Sequence, residues 1–404
     1  TNDGVRKFSP EGKVLWHFPQ FNNHMNNQPC LLGDRVFGSN HDGGAFALDA
    51  QTGEPVWLKK LAGNAGGDAG YPAAFDGVFV VGAELGTQLF PAAGGNRVVF
   101  GLDASTGEKL WEFRPEVPVY SFSPLFPADG SVVFMDFSGG MYRLGLHNGT
   151  LLWHSPSKGN EGSFTDGGPT LGPDGSVYAC SNQGSSAGKE GFKGVLRALR
   201  VADGAPLWEH ILPQPCLSYP AVGRLGPQEA LSVVVTPGSF MGSGDLHGSV
   251  MAFDAETGSP QWRFNAEAYH AHMGMARGDL EGLGERQKFN RGHELCMPAH
   301  WSSASILGDG AVVAGRSDGL VYAVRGPTSG GPATGAGTSL AQLGAGPAAS
   351  GNASLAELGA DFASTRGVEV RTWDAKAAAL HGAFAFAPGA VAFASCDTLY
   401  VFRA

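Results

Sequence analysis

A repeat constrains this chain more than any other feature. A short alternating strand, a turn containing Gly and a strand ending in Trp recur along almost all of it. The copies run GVRKFSPEGKVLW to Trp16, GGAFALDAQTGEPVW to Trp57, RVVFGLDASTGEKLW to Trp111 and GGMYRLGLHNGTLLW to Trp153. They continue as GVLRALRVADGAPLW to Trp208 and GSVMAFDAETGSPQW to Trp262. A seventh is interrupted, starting at GLVYAV and resuming at VEVRTW to end at Trp373. The first six tryptophans lie 41, 54, 42, 55 and 54 residues apart, the length of one four-stranded sheet with its loops.

Within one unit the chemistry is that of a β-hairpin. In ALDAQTGEPVW the apolar residues alternate as in a half-buried strand, Asp49 can cap the turn by accepting backbone amides, and Gly53 can take the positive φ the turn needs. Between each Trp and the next hairpin lies a second strand pair, as in YPAAFDGVFVVG and SPLFPADGSVVFMD. Each repeat therefore supplies four antiparallel strands, here A to D from the inside outward. One such sheet cannot bury both faces alone, so the sheets are expected to stack radially as a β-propeller. Composition agrees, since Gly 62 and Pro 25 exceed a fifth of 404 residues and disfavour long helices.

At this point the residues match a family. A-x-D-A-x-T-G-E-x-x-W resembles the pyrroloquinoline quinone (PQQ) repeat, or tryptophan-docking motif, of quinoprotein alcohol dehydrogenase-like propellers, and the resemblance covers nearly the whole chain. It implies that Trp16, Trp57, Trp111, Trp153, Trp208, Trp262 and Trp373 dock between adjacent blades. Similar repeats also build outer-membrane assembly lipoproteins and cofactor-free propellers, so the motif speaks to fold more than to activity. Counting A–B pairs after the seven tryptophans gives seven blades. KVLWHF is expected to add the missing D strand of the last, joining the N- and C-terminal strands in one blade. Residues 1–8 look like an extra C strand, which makes an eighth, partial blade the alternative.

Two insertions break the period within this single domain. Residues 326–367 are mostly Gly, Ala, Ser and Pro and read as a flexible insertion within a blade hairpin. Residues 266–300 form a long D–A connection holding His270, His272, Met273, Met275, His293, Cys296 and His300. Imidazole and soft sulfur at this density suit copper or zinc, although the spacing matches no diagnostic motif. Trp301, alone among the tryptophans, lies outside the repeat and opens an A strand beside His300. The resemblance makes Trp301 a match for the indole under the PQQ ring, with His300, Asn26, Asp68 and Asp166 on connections suited to cofactor or calcium. The adjacent cysteine pair common in those enzymes is absent: Cys30, Cys180, Cys216, Cys296 and Cys396 are all widely spaced.

Charge and hydropathy exclude some classes. A formal charge of −10 without a basic run argues against nucleic acid, and no stretch is long and apolar enough for a membrane helix. Nothing at the N-terminus reads as a signal h-region, and a start at Thr1 reads as a chain that has lost a leader or a preceding domain. Asn148-Gly-Thr and Asn352-Ala-Ser match the N-glycosylation pattern. The resemblance implies an extracytoplasmic, soluble protein. The leading expectation is a non-catalytic propeller that binds another protein through the face carrying its D–A and B–C connections. A PQQ- and calcium-dependent alcohol or sugar dehydrogenase, and a metal-binding propeller using residues 266–300, are the alternatives.

Overall fold

A computed structural model of the chain describes residues 4–19, 28–65, 71–85, 95–157, 165, 167–184, 192–226, 230–239, 244–271, 300–327, 363–365, 368–375, 380, 383–395 and 399–403. Every regular element among them is a strand, and the fold is a seven-bladed β-propeller of mostly four-stranded antiparallel blades.

The N-terminal hairpin is β1 (Gly4–Phe8) and β2 (Val14–Pro19). The first blade follows as β3 (Cys30–Leu32), β4 (Arg35–Ser39), β5 (Gly44–Asp49) and β6 (Pro55–Lys60), paired in that order. The second is β7 (Ala73–Phe75), β8 (Val78–Leu85), β9 (Asn96–Asp103) and β10 (Lys109–Phe113). The third is β11 (Ser131–Met135), β12 (Met141–Gly145) and β13 (Leu151–Ser155), with Leu125 bridging to Val133 where an A strand would run. The fourth is β14 (Pro169–Leu171), β15 (Ser176–Gln183), β16 (Lys193–Arg200) and β17 (Pro206–Ile211).

The fifth sheet orders β18 (Ala221–Arg224), β19 (Leu231–Val235), β21 (Ser249–Asp254) and β22 (Pro260–Asn265). From its connections rises a separate ribbon in which β20 (Gly244–Leu246) pairs with β23 (Tyr269–Ala271). The sixth contains β24 (Ser305–Ile306), β25 (Val312–Gly315), β26 (Leu320–Arg325), β27 (Ala363–Thr365) and β28 (Val368–Asp374). Strands β26 and β28 pair from Leu320↔Asp374 to Arg325↔Glu369, closing one hairpin across the inserted residues, and β27 is a strand inside that insertion. The seventh is β29 (Ala385–Ala387), β30 (Ala390–Ala394) and β31 (Leu399–Arg403).

One expectation is corrected. Strand β2 pairs with β1, not with the last strand of the chain, and the seventh sheet has three strands. A partner a few residues away closes at a smaller entropic cost than one at the far end of the chain. The C-like reading of residues 1–8 is the pairing that forms.

The chain divides into two compact units, Thr1–Phe192 with Arg197–Leu207, and Lys193–Leu196 with Trp208–Ala404. In the first, apolar faces of successive sheets meet: Phe37 and Trp57 of the first blade pack with Phe79 and Phe100 of the second. Each buried aromatic of this size contributes roughly 1.5–3 kcal/mol. The hairpin tryptophans reach the neighbouring sheet's turn. Trp57 Nε1 donates to the Ala104 carbonyl at 3.1 Å, Trp111 to Leu146 at 2.7 Å and Trp153 to Val201 at 2.8 Å. In each case a turn glycine, Gly107, Gly149 or Gly204, lies against the indole where a Cβ has no room. In the second unit Trp208 repeats the contact with Ala255 at 3.0 Å and Gly258, Trp262 lies against Gly326, and Trp373 meets Phe393 and Phe402 edge to face.

Cys180 and Cys216 each take part in a disulfide, and both are fully buried. Cys30 is a free thiol that burial pushes up to about 11. Cys296 and Cys396 lie outside the described residues.

Candidate functional site

The B–C connections of three blades share one tight turn. Residue 1 accepts the N–H of residue 4 and donates its own N–H to the carbonyl of residue 5, with Asn40, Asp136 and Arg316 in first place. In two of them the first side chain caps the turn. Asn40 Oδ1 accepts Gly44 N–H at 2.9 Å, and Asp136 Oδ1 accepts Ser138 N–H at 2.9 Å and Gly140 N–H at 2.8 Å. Burial pushes the Asp136 carboxyl upward, against the pull of those donors. In the third turn, GRSDG, Asp318 takes over the cap by accepting Leu320 N–H at 3.0 Å. The first side chain is thereby released, and it is an arginine.

Arg316 is buried and spends its donors on four chain segments. Its Nε donates to His300 Nε2 at 2.9 Å. Nη1 donates to the Glu267 carbonyl at 2.8 Å, Asp318 Oδ2 at 3.0 Å and Tyr322 Oη at 3.2 Å. Nη2 donates to the Leu246 carbonyl at 3.3 Å. The guanidinium carbon lies 4.8 Å from the Tyr269 ring and 5.3 Å from that of Trp301, within cation–π reach. Leu246 ends β20 and Glu267 leads into β23, so a single side chain holds both roots of the ribbon. Tyr269 Oη and Ser317 Oγ add a hydrogen bond beside it.

His300 and Trp301, expected at an inner position, are buried and engaged in packing. They are 3% and 2% exposed. Burial above all, then the Arg316 charge, pushes His300 down to about 3, so the imidazole is neutral and its Nε2 lone pair accepts from Arg316. A base whose lone pair is already engaged and whose affinity for protons is this low is poorly suited to abstract one at neutral pH. The Trp301 indole stands edge-on to Tyr322 at 5.0 Å and 70°, with its Nε1 against Gly248. A flat quinone needs an open indole face. These surroundings leave none, so the residues present do not fit a cofactor stacked on Trp301.

Of the other residues singled out, Asn26, Asp68, Asp166, His272, Met273, Met275, His293 and Cys296 lie outside the described residues. His270 sits on β23, exposed, with Nδ1 3.3 Å from Asp245 Oδ1 across the ribbon. Among the described residues no cluster of three or more His, Cys, Asp or Glu is grouped to hold a metal. A cavity of about 300 Å³ lies elsewhere, between the N-terminal hairpin and the first blade, lined by Trp16, Cys30, Val36 and the cations Arg6 and Lys7. It contains none of the residues considered for cofactor or metal. The residue that sequence reasoning missed is Arg316. Its one local signal is an arginine where the equivalent turns carry Asn40 and Asp136.

Comparison with known proteins adds to this geometry. Residues 1–189 match the family described as outer membrane protein assembly factor BamB. BamB of Burkholderia pseudomallei (strain K96243) is 28% identical over 272 residues, covering 58% of this chain and 64% of that protein, so the match spans less than two thirds of the relative. A polyvinylalcohol dehydrogenase of Sphingopyxis sp. (strain 113P3) is 25% identical over 272 residues, covering 63% of this chain and 35% of that one. In three dimensions the crystal structure of BamB from Moraxella catarrhalis superposes with a TM-score of 0.58 at 16% identity, over 97% of this chain and 86% of that chain, a likeness of fold.

Proposed function

We propose that this chain, which is similar to the PQQ-repeat β-propellers over residues 1–189, is a non-catalytic propeller, a protein-interaction or assembly module working outside the cytoplasm. The observation that carries the reading is the closure of its inner His–Trp pair. His300 and Trp301 have the address a cofactor site would use, yet Arg316 consumes the imidazole lone pair and aromatic neighbours cover the indole. The similarity to proteins named for outer-membrane assembly supports the same reading. The interaction surface is the face of the D–A and B–C connections, where the β20–β23 ribbon stands at the root of the 266–300 connection. The seven repeat tryptophans serve as blade-docking residues, a role supported by the Nε1 bonds to neighbouring turns. Two disulfide-bonded cysteines support an oxidising compartment.

The test has two arms. Incubation with PQQ and calcium, followed by dye-linked oxidation of alcohols and sugars, is expected to give no turnover and no cofactor absorbance. Turnover would replace this reading with the dehydrogenase one. In the second arm, partners cross-linked in the native compartment are compared with and without residues 266–300. Loss of a partner is expected, and an unchanged set would remove that connection's role.

A further inference from the structure

We propose that Asn148 is an N-linked glycosylation site, an inference that rests on the extracytoplasmic part of the reading above. The sequon Asn148-Gly149-Thr150 occupies the outer turn between β12 and β13, where both Asn148 and Thr150 are exposed. The turn is closed by its own backbone, Gly149 N–H to the Gly145 carbonyl at 2.8 Å and Gly145 N–H to Thr150 at 2.8 Å.

The amide is held in one orientation. Asn148 Oδ1 accepts the Thr150 N–H at 3.0 Å, and since a backbone N–H can bond only to the amide oxygen, the identity of the two amide atoms is settled. Oδ1 points inward over Gly145, and a Cβ built on that glycine would lie 3.7 Å from Nδ2 but far closer to Oδ1. Nδ2 is on the outer side and makes no hydrogen bond among the described residues.

The equivalent turns explain why the sequon fits here without cost. At Asp49, Asp103 and Asp254 an aspartate caps the turn from the first position and a threonine fills the fourth. In this turn Gly145 replaces the aspartate, and Asn148 Oδ1 takes the place of the threonine hydroxyl, which in the other three turns accepts the N–H two residues further on. Capping needs only Oδ1. A sugar on Nδ2 leaves that oxygen and one N–H in place, so the modified turn keeps its bonds.

The donor would be a lipid-diphosphate-linked oligosaccharide. Nδ2 forms a bond to the sugar C1 as the C1–O bond to diphosphate breaks, the lipid diphosphate leaves with the electron pair, and the amide gives up one proton. The test is secretion of the full chain from a host with this machinery, then release of glycans by amidase in ¹⁸O water and peptide mass analysis. Asn148 is expected to be converted to ¹⁸O-labelled aspartate in most molecules. N148Q and T150A should lose the glycan and T150S should retain it, with thermal melting recorded for each. If N148Q fails to fold, T150A decides alone, since it leaves the cap intact. Alkylation of Cys180 and Cys216 is read on the same samples and on protein from the native source. Secreted protein with both cysteines oxidised and Asn148 bare would overturn the proposal alone. Native protein with free thiols and no glycan would overturn the compartment as well.

Discussion

The outer C–D turns and the Arg316 cluster are both tight turns with buried neighbours, yet they are held together in opposite ways. Each outer turn is nearly self-sufficient. Asp49 Oδ1 accepts the Thr52 and Gln51 amides, Asp103 accepts the Ser105 hydroxyl and the Ser105 and Thr106 amides, and these bonds hold both half-buried carboxyls below their usual range. The partner sheet adds one indole. The Arg316 cluster has almost no local content. It draws carbonyls from Leu246 and Glu267, a ring nitrogen from His300 and a carboxylate from Asp318, and without the guanidinium several buried acceptors would face one another. The comparison teaches that the repeated shell is redundant and modular, whereas the two roots of the ribbon converge on one side chain.

Arg316→Met should therefore have the largest effect. It leaves the Asp318 carboxylate and two carbonyls without their cation, which costs about 3–5 kcal/mol for a broken buried pair. Urea denaturation of the whole chain measures it. Arg316→Lys should recover only part, because an ammonium cannot reach His300, Glu267 and Leu246 together. Hydrogen exchange at 244–246 and 269–271 sharpens the contrast: protection of the ribbon should fall more than that of the outer hairpins. Equal loss everywhere would show that the cluster is ordinary core. Combining Arg316→Met with His300→Gln should be non-additive by roughly 0.5–3 kcal/mol, while Trp57→Phe and Trp153→Phe, in separate outer contacts, should add within about 0.5 kcal/mol.

Acid should separate the two regions next. His300 is lowered from 6.5 to about 3 in the folded chain. Between those values the unfolded chain binds a proton on this imidazole that the folded chain does not. Stability therefore rises with pH across the window and falls as acid is added, by up to roughly 1.4 kcal/mol per pH unit. Asp318 works the other way, since burial raises its carboxyl and protonation there favours the folded state. The difference between wild type and His300→Gln isolates the histidine. Its stability profile from pH 7 to 4 should be flatter than that of wild type, and parallel curves would refute a buried neutral imidazole.

Smaller effects come from glycines. A Cβ at Gly248 would collide with Trp301 Nε1 and the His300 ring, so Gly248→Ala should cost roughly 1–3 kcal/mol by overpacking. Gly308 has nothing within 4 Å and no positive φ, so alanine there should be neutral or stabilise by about 0.4–1 kcal/mol. Thermal melting of the two variants compares crowded and open backbone on the same unit.

Much of the shell was legible in the sequence because its causes are local. Alternation placed the strands, Asp49 and Gly53 marked the turn, and the observed bonds and a φ of +76° agree with both. The N-terminal strand was misjudged because pairing of β2 with β1 or with the chain's end is a contest between distant partners that periodicity does not see. The engagement of His300 and Trp301 was not legible. An arginine in GRSDG reads as a solvated turn residue, and its partners at 300, 267 and 246 lie 16, 49 and 70 residues away in sequence. Tyr120 and Phe122, on the connection before the third blade, are buried, with Phe122 packed on Phe134.

The smallest predicted effect tests whether the outer turns are as interchangeable as the comparison holds. Two capping schemes occur there. One uses aspartate first and threonine fourth, as in Asp49 and Thr52, and the other uses a first residue without a capping carboxylate and an acceptor fourth, as in Gly145 and Asn148. Gly145→Asp adds the missing carboxylate, and its Cβ would collide with Asn148 Oδ1, but that oxygen ends a side chain that can swing outward, so the gained cap should offset the displaced one within about 0.5 kcal/mol. Adding Asn148→Thr should complete the first scheme and leave stability at or slightly above wild type. Asn148→Ala alone removes the one side-chain acceptor this turn has among the described residues and should cost about 0.5–1 kcal/mol. Chemical denaturation of the three variants resolves these values. A cost well above 2 kcal/mol for the double substitution would mean that this turn is tied to its surroundings as Arg316 is, and that the shell is less modular than its repeats suggest.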